Sequence, residues 1–357
     1  MSFSEIKRRE IKNYLLHKID EDDDAVIAKV ADAFGISATS VRRYIDAEIA
    51  DGHIMADDSK KSGYSLIFKN HSFEYNIKDM DEHDDNVLYT DIYPILSVNE
   101  NAGRIWKYAL PEMFNNAIEH SQGKRLKTHV EACCLYTRIA VSDNGIGIFK
   151  NVVNAMKDYG FKNPTPEDAI IELYKGKFTS CPERHTGEGI FFTMRMVDKL
   201  SIVSDGTILE HGYYGDVSYI KSHLLAYAMK LSKTGTVVIM ELNNNTQRSS
   251  REIFDQYADI DEGLIRTSIP VFEACLDRDP VARSQARRIA HRLEGFKEVT
   301  LDFSRVEIMG QGFADELFRV FKNAHPDTIL TPVNMNSDVQ MMYLYSVNKK
   351  VEAPRYK

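Results

Sequence analysis

Three short segments, each polar or rich in glycine, constrain the fold of this chain more than any other feature. They occupy residues 112–116 (Glu-Met-Phe-Asn-Asn), 143–147 (Asp-Asn-Gly-Ile-Gly) and 186–190 (Thr-Gly-Glu-Gly-Ile). The first lies in a stretch with helical periodicity, so Glu112 and Asn116, four residues apart, are predicted to share one helix face. The third precedes an apolar run that can begin a helix, and backbone N–H groups at a helix start bind phosphate. Together the segments predict one nucleotide site.

The side chains of the first two segments suit that chemistry. An amide oxygen from Asn116, with phosphate oxygens, would suit Mg²⁺, which is a hard cation that takes oxygen ligands. Glu112, one helical turn away, could orient or deprotonate an attacking water. Asp143 follows a predicted strand and could accept a hydrogen bond from an exocyclic amine, while Gly145 and Gly147 let backbone approach a flat ring.

Each segment also has an ordinary structural interpretation. A Glu and an Asn on a helix are usually solvated surface residues, and Asp-Asn-Gly is usually a plain turn. A Gly-x-Gly before a helix often serves packing or capping. The functional hypothesis therefore depends on the order and spacing of the three segments together.

In that order and spacing, the set resembles the Bergerat fold, the ATPase superfamily of gyrase, the Hsp-type chaperones, the MutL proteins and the sensor histidine kinases. Within it, the chain most resembles the anti-sigma-factor serine kinases. The resemblance covers about residues 85 to 245 and implies an α/β sandwich that binds ATP and Mg²⁺. It implies these roles: Glu112 as general base, Asn116 as magnesium ligand, Asp143 as the adenine-reading aspartate with Gly145 and Gly147, Thr186, Gly187 and Gly189 as the glycine box over the phosphates, and Thr236 as the threonine behind the adenine.

The superfamily carries a mobile lid between its two glycine boxes, and residues 175–185 occupy that place here. Lys177, Arg184 and His185 would contact phosphates in such a lid. The alternative is an exposed charged loop without a nucleotide contact.

Composition sets the outer bounds. A chain of 357 residues predicts two or three domains, and 43% hydrophobic with 27% charged residues is typical of a globular protein. No stretch approaches the ~20 apolar residues of a membrane span, and no signal peptide is recognisable, so we expect a cytoplasmic protein. The four cysteines have no metal-site spacing and are predicted to be free thiols.

The first seventy residues predict a small helical unit. Helical patterns over residues 5–18, 25–34 and 38–51 precede two strand-like runs around a polar tip at 57–63, and the unit resembles a winged helix-turn-helix. The resemblance implies DNA contacts by Ser37, Thr39, Ser40, Arg42 and Arg43 on the recognition helix and by Lys60 and Lys61 on the wing. The net charge of −8 and the acidic run at 20–24 favour the alternative, a protein-docking or dimerisation module.

The last hundred residues alternate predicted strands and helices, which indicates an α/β layer. Residues 299–306 (Val-Thr-Leu-Asp-Phe-Ser-Arg-Val) and 312–317 (Gly-Phe-Ala-Asp-Glu-Leu) resemble a STAS domain, the fold of anti-sigma-factor antagonists. Those antagonists have a phosphate-accepting serine at the turn before the helix, where this chain has Gly310, Gln311 and Gly312. Ser304 lies earlier. A docking module for a protein partner is therefore the favoured interpretation.

The fold class predicted is α/β and α+β multidomain: a winged helix at 1–70, a linker at 71–85, a Bergerat ATPase domain at 86–248 and a STAS-like domain at 249–357. The function predicted is a Mg-ATP-binding regulator, a slow ATPase whose lid closure switches its flanking modules in transcription or stress signalling. It would bind DNA through the first unit and form a homodimer. Two alternatives stay open: a protein serine or histidine kinase of the anti-sigma-factor type, and a non-catalytic ATP-sensing protein.

Overall fold

The computed structural model describes residues 3–80, 86–179, 186–212, 234–275 and 278–348. The chain folds into a small N-terminal unit, a central unit built on a large sheet, and a C-terminal unit built on a smaller one. Within the described ranges no helix has both the length and the apolar character needed to span a bilayer. Cys133, Cys134 and Cys275 are free thiols, and Cys181 lies outside the described residues.

The N-terminal unit consists of three helices and a two-stranded hairpin. The helices are α1 (Glu5–Asp20), α2 (Val26–Phe34) and α3 (Ala38–Ala50). Strand β1 (Ile54–Ala56) pairs antiparallel with β2 (Tyr64–Leu66). Gly35 ends α2 in the left-handed conformation, and the Ser37 hydroxyl caps α3 by accepting a hydrogen bond from the Ser40 N–H at 3.1 Å. The three helices and two strands predicted for this region are confirmed.

The central unit is organised around a six-stranded antiparallel sheet with the strand order β3-β4-β5-β8-β6-β7. Its strands are β3 (Lys69–Asn76), β4 (Arg125–Ala132), β5 (Tyr136–Asp143), β6 (Lys199–Ser204), β7 (Thr207–Gly212) and β8 (Thr236–Asn243). Its helices are α4 (Glu100–Asn115), α5 (Ile148–Asp158), α6 (Pro166–Lys175) and α7 (Gly189–Met196).

The predicted linker at 71–85 is wrong over its first part, because residues 71–76 belong to edge strand β3. The strand pairs with β4 along its whole length, from Lys69 opposite Ala132 to Asn76 opposite Arg125. Only Phe73 and Tyr75 pack against the core, so the apolar alternation that marks a strand is short. Residues 81–85 lie outside the described part of the chain.

The C-terminal unit alternates helices with a three-stranded parallel sheet of order β11-β12-β13. Helix α8 (Ser250–Tyr257) and the short pair β9 (Ala258–Asp259) and β10 (Gly263–Leu264) lead into it. Its strands are β11 (Arg266–Pro270), β12 (Glu298–Asp302) and β13 (Ile329–Val333). Its helices are α9 (Val271–Ala274), α10 (Arg283–Ala290), α11 (Gln311–Ala314), which continues as the π-helical turn Asp315–Phe321 into α12 (Lys322–Ala324), and α13 (Ser337–Asn348). The predicted alternation of strands and helices is confirmed.

The central and C-terminal units share one hydrophobic core, whereas the N-terminal unit has a core of its own. Buried residues from Met80 to Val339 form the shared cluster. The N-terminal core is separate and reaches the central unit through Leu135 and Tyr136, which precede and begin β5. Among the described residues the central and C-terminal units therefore pack as one body and the N-terminal unit as another, and a third, small cluster of Val203, Val237 and Ile239 lies on the large sheet.

A buried lysine joins the central unit to the C-terminal unit. Lys175, the last residue of α6, is 1% exposed. Its Nζ donates to Glu172 Oε1 at 2.7 Å, to Arg288 O at 3.2 Å and to His291 O at 2.5 Å. Arg288 and His291 lie at the C-terminal end of α10, where carbonyls have no partner within the helix and a cation is favourable. The ammonium therefore completes the end of a helix in the neighbouring unit.

We expect Lys175→Met to lower the free energy of unfolding by about 3–5 kcal/mol, because it removes one partner of a buried ion pair and leaves Glu172 with Arg292 alone. Chemical denaturation measures the loss. The double variant Glu172→Gln with Lys175→Met should recover part of it. Lys297→Met, in an exposed pair with Glu262, is the control and should cost about 0–1 kcal/mol. Equal effects of Lys175→Met and Lys297→Met would contradict the assignment.

Candidate functional site

A cavity of about 320 Å³ lies in the central unit, between the sheet and its helices. Of the described residues predicted to bind nucleotide, all but Gly145 and Lys177 line it: Glu112, Asn116, Asp143, Gly147, Thr186, Gly187, Gly189 and Thr236. Three segments far apart in sequence therefore converge on one space. Its volume is in the range of cavities that hold small-molecule ligands.

Glu112 and Asn116 enter the cavity from the C-terminal end of α4. The helix changes there into the π-helical turn Asn116–His120, a wider turn that is frequent at functional sites. Glu112 lies directly against the start of α7, because a Cβ atom added to Gly189 would come within 1.9 Å of Glu112 Oε2. Glycine at 189 is therefore required for the carboxylate to approach the helix N-terminus this closely.

Tyr108, one turn before Glu112, lines the same wall. Burial, together with the negative charges of Glu112 and Glu188, raises the pKa of its phenol well above the usual value. The hydroxyl therefore stays protonated at neutral pH and is available as a hydrogen-bond donor.

Asp143 is held at the end of β5 by hydrogen bonds from neighbouring residues. Its Oδ1 accepts a hydrogen bond from the Gly145 N–H at 2.8 Å, and the Thr236 hydroxyl and backbone also hydrogen-bond to the carboxylate. Thr236 in turn accepts from the Ile148 N–H at 2.9 Å. Burial raises the pKa of Asp143 above its ordinary value, although these hydrogen bonds oppose the shift. The carboxylate is thus oriented by its neighbours.

Gly145 was predicted to line the site, but the structure gives it a different place. A Cβ atom there would lie 1.9 Å from the Ser121 carbonyl oxygen, so the residue packs against the end of the π-helical turn. Its N–H holds Asp143. The glycine requirement therefore comes from close backbone packing beneath the cavity.

Lys177, which the resemblance assigned to the phosphates, is directed toward the C-terminal unit in this structure, and its contact with a nucleotide stays a prediction. Its Nζ donates to Gly295 O at 2.7 Å and lies 4.7 Å from the centre of the Phe296 ring, both in the C-terminal unit. Phe178 and Thr179, the next two residues, do line the cavity. Arg184 and His185 lie outside the described residues. The base of the predicted lid is therefore divided between the cavity and the C-terminal unit.

Sequence reasoning missed Asn151, which lines the cavity from α5. The signal was available, since Asn151 lies four residues after Gly147 and so one turn into the helix that Gly147 begins. His120, on the π-helical turn that follows α4, lines it too.

The donor set suits a hard divalent cation. Asn116, Asn151 and Glu112 all line the cavity, and Mg²⁺ prefers amide and carboxylate oxygens of the kind these side chains carry. Asn116 stays the predicted magnesium ligand. A bound Mg²⁺ would neutralise charge on phosphate oxygens.

A family model described as a STAS-like domain of unknown function (DUF4325) matches residues 285–340. The C-terminal unit contains a STAS-like domain. The match runs from within α10 to the first turn of α13 and includes the Gly310–Gly312 turn. No curated protein sequence matches the chain.

In the STAS-like domain, Gly310 precedes α11, and a Cβ atom there would lie 2.4 Å from Val281 O. Close packing therefore excludes a larger residue at this turn. Ser304 lies after β12, where its hydroxyl donates to Asp302 Oδ1 at 2.7 Å.

The predicted DNA-contacting residues divide between surface and structural positions. Thr39, Arg42 and Arg43 are exposed on α3, and Lys60 and Lys61 are exposed between β1 and β2. Ser37 and Ser40 are engaged in the cap of α3, with their hydroxyl oxygens 3.0 Å apart.

One acidic residue on α3 is turned inward. Glu48 is 1% exposed and is paired with Lys12 at 2.6 Å and His53 at 2.6 Å. It therefore adds little negative charge to the outer face of α3.

The raised pKa of Asp143 makes a prediction about stability. Between the ordinary pKa of 3.8 and the folded value, the unfolded chain has lost this proton while the native state keeps it, so the free energy of unfolding falls as pH rises through that window. Asp143→Asn should remove this pH dependence and leave the ligand-free protein at least as stable at neutral pH. Thermal denaturation from pH 3 to 8 measures it. The exposed Asp158→Asn is the control, and a lower melting temperature for Asp143→Asn alone at pH 7 would contradict the argument.

Proposed function

We propose that the central unit binds Mg-ATP in the 320 Å³ cavity and hydrolyses it slowly, and that nucleotide occupancy regulates the flanking units. The observation that carries this proposal is the convergence of Glu112, Asn116, Asp143, the 186–189 segment and Thr236 on one cavity. The order of the three segments along the chain supports a nucleotide site at the level of the sequence. The positions of the same segments around one cavity support it independently.

The cavity offers different chemistry at its two ends. Asp143 and Thr236 provide a fixed acceptor and a hydroxyl, which suit the exocyclic amine and ring nitrogens of adenine. The 187–189 backbone and the N-terminus of α7 suit the phosphates, since a helix start presents N–H groups and a positive dipole end. An ATP molecule placed this way brings its terminal phosphate toward Glu112.

Glu112 is the group proposed to act on water. Its carboxylate, held against Gly189, can accept a proton from water that attacks the terminal phosphate or can fix that water's orientation. The backbone N–H groups at the start of α7 would stabilise charge that develops on the phosphate oxygens. Mg²⁺ held by Asn116 would supply further charge neutralisation.

We expect Glu112→Ala to reduce ATP turnover by about 10²–10⁴-fold, the usual contribution of a general base, while nucleotide binding remains. Phosphate release under single-turnover conditions and equilibrium titration with a fluorescent ATP analogue measure the two quantities. Glu100→Ala, at the exposed start of the same helix, is the matched control. Undiminished turnover in Glu112→Ala would remove the general-base assignment.

The same experiment separates the other functions that the sequence left open. Label from [γ-³²P]ATP appearing on a protein rather than as free phosphate would identify a protein kinase. Binding without turnover in the wild type would identify a non-catalytic ATP sensor.

We also propose that the N-terminal unit is a winged helix that contacts DNA through α3. The support is that Arg42 and Arg43 are exposed while Glu48 on the same helix is buried and paired. Arginine pairs with guanine edges or phosphates when a helix enters the major groove.

We expect Arg42→Ala or Arg43→Ala to weaken binding to a promoter fragment by about 1–3 kcal/mol if the side chain reads a base. If it contacts phosphate, the variant should lower the salt dependence by about one phosphate charge. Electrophoretic mobility shifts at several salt concentrations, with and without Mg-ATP, measure this. Arg104→Ala, exposed in the central unit, is the control. Binding that ignores both α3 changes would favour a protein-docking role.

A further inference from the structure

A second cavity, of about 180 Å³, lies between the central unit and the STAS-like domain. It is at the opposite end of α7 from the nucleotide cavity. Arg195 and His211 line it from the central unit, and Asp302, Ser304 and Arg305 line it from the STAS-like domain. Nothing in the proposed ATPase chemistry uses these residues.

Arg195 is a buried cation that has no carboxylate partner among the described residues. It is 5% exposed, and its Nη2 donates to Ser268 O at 2.5 Å. The guanidinium carbon lies 4.5 Å from the centre of the Phe191 ring and 5.7 Å from that of Tyr257. Within the described part of the chain, its Nη1 is buried and has no hydrogen-bond partner.

Such an arrangement is strongly unfavourable unless something compensates the charge. Arginine cannot escape by losing its proton in a protein, although burial lowers the pKa of Arg195 against the opposing hydrogen bond with Tyr257. The cation–π contacts with the aromatic rings replace only part of the hydration free energy that the guanidinium loses on burial. A buried charge is normally paired, and a buried N–H normally has an acceptor.

The two acids that line the cavity are engaged elsewhere. Glu273 Oε1 accepts from Arg305 Nη1 at 2.8 Å. Asp302 Oδ1 accepts from the Ser304 N–H at 2.9 Å, from the Ser304 hydroxyl at 2.7 Å and from Asn334 Nδ2 at 2.9 Å. The counter-charge that Arg195 needs must therefore come from outside these pairs.

We propose that this cavity binds a small oxyanion, a phosphoryl or carboxylate group, which accepts a hydrogen bond from Arg195 Nη1 and neutralises its charge. The chemistry is that of an arginine–oxyanion pair, which is favoured at buried sites because the guanidinium is planar and weakly hydrated.

His211 would assist as a neutral donor. Burial and the positive charges of Arg195 and Arg248 lower the pKa of His211 to about 3, so the ring is uncharged at pH 7 and has one N–H to donate. A bound anion would offset the positive charge of Arg195 and so raise the pKa of this ring. The histidine thus provides a signal for occupancy.

An anion here would contact both the central unit and the STAS-like domain. Arg195 belongs to α7, whose other end begins at Gly189 in the nucleotide cavity, whereas Ser304 and Arg305 follow β12 of the STAS-like domain. Occupancy would therefore strengthen the packing of that domain on α7. The site does not require that the other cavity bind ATP.

The test uses the full chain and two probes, inorganic phosphate and acetate, added at constant ionic strength against chloride. We expect a saturable rise in melting temperature of several degrees with at least one probe, because a ligand that binds only the native state stabilises it. The probe that acts tells a phosphoryl from a carboxylate ligand. Arg195→Met should abolish the response, and without added anion it should melt no lower than the wild type, since it removes an uncompensated charge.

Two controls separate this site from others. Arg251→Met, at an exposed position on α8, should keep the full response. Thr186→Ala should keep it too, which shows that the nucleotide cavity, where Thr186 lies beside the proposed phosphate site, is not responsible. A response that persists in Arg195→Met, or no saturable response to either probe in the wild type, would overturn the proposal.

A second measurement needs no variant. The His211 ring resonance in histidine-labelled wild-type protein should shift with the anion and with the same midpoint as the thermal effect. A His211 signal that stays fixed up to high millimolar phosphate and acetate would overturn the proposal even if Arg195→Met failed to fold.

Discussion

The buried ammonium of Lys175 is the interaction on which the arrangement of the central and C-terminal units depends. It ends α6, satisfies carbonyls at the end of α10 and pairs with Glu172. Thr267 of β11 in turn donates its hydroxyl to Lys175 O at 3.0 Å. Because every donor of the lysine is used and water is excluded, the segment that follows is fixed at its start. That segment, 176–179, then reaches the wall of the nucleotide cavity.

Helix α7 provides a second connection between the central and C-terminal units. Its first residue, Gly189, touches Glu112, and its seventh, Arg195, donates to Ser268 O on β11. A helix of this length is rigid on the scale of these contacts, so a displacement of one end also displaces the other end. The two cavities are therefore linked through a packed element as well as through the anchored lid base. Coupling free energies of about 1–3 kcal/mol are typical of such linked sites.

The sequence predicted the local elements well where periodicity was strong, as in α1 to α3, β5 and α7. It also predicted that Glu112, Asp143 and Gly189 share one site, because the spacing of short motifs constrains a fold more than any single residue does. It failed at β3, whose pattern rests on two aromatic residues. It also gave no sign that Lys177 donates to Gly295, which lies over a hundred residues later. The Arg195 cavity could not be predicted from the sequence either, because its walls come from two units that only tertiary packing joins.

The division of the cores indicates which unit would respond to the proposed nucleotide. The central unit and the STAS-like domain share one buried cluster, so separating them would expose apolar surface at a cost of roughly 25 cal/mol per Å². The N-terminal unit has its own core and meets the sheet mainly at Leu135 and Tyr136, with the Tyr136 hydroxyl donating to Asp20 at 3.2 Å. That smaller contact is less costly to rearrange. We therefore expect the N-terminal unit to move as a body when the cavity closes, while the STAS-like domain moves with the sheet.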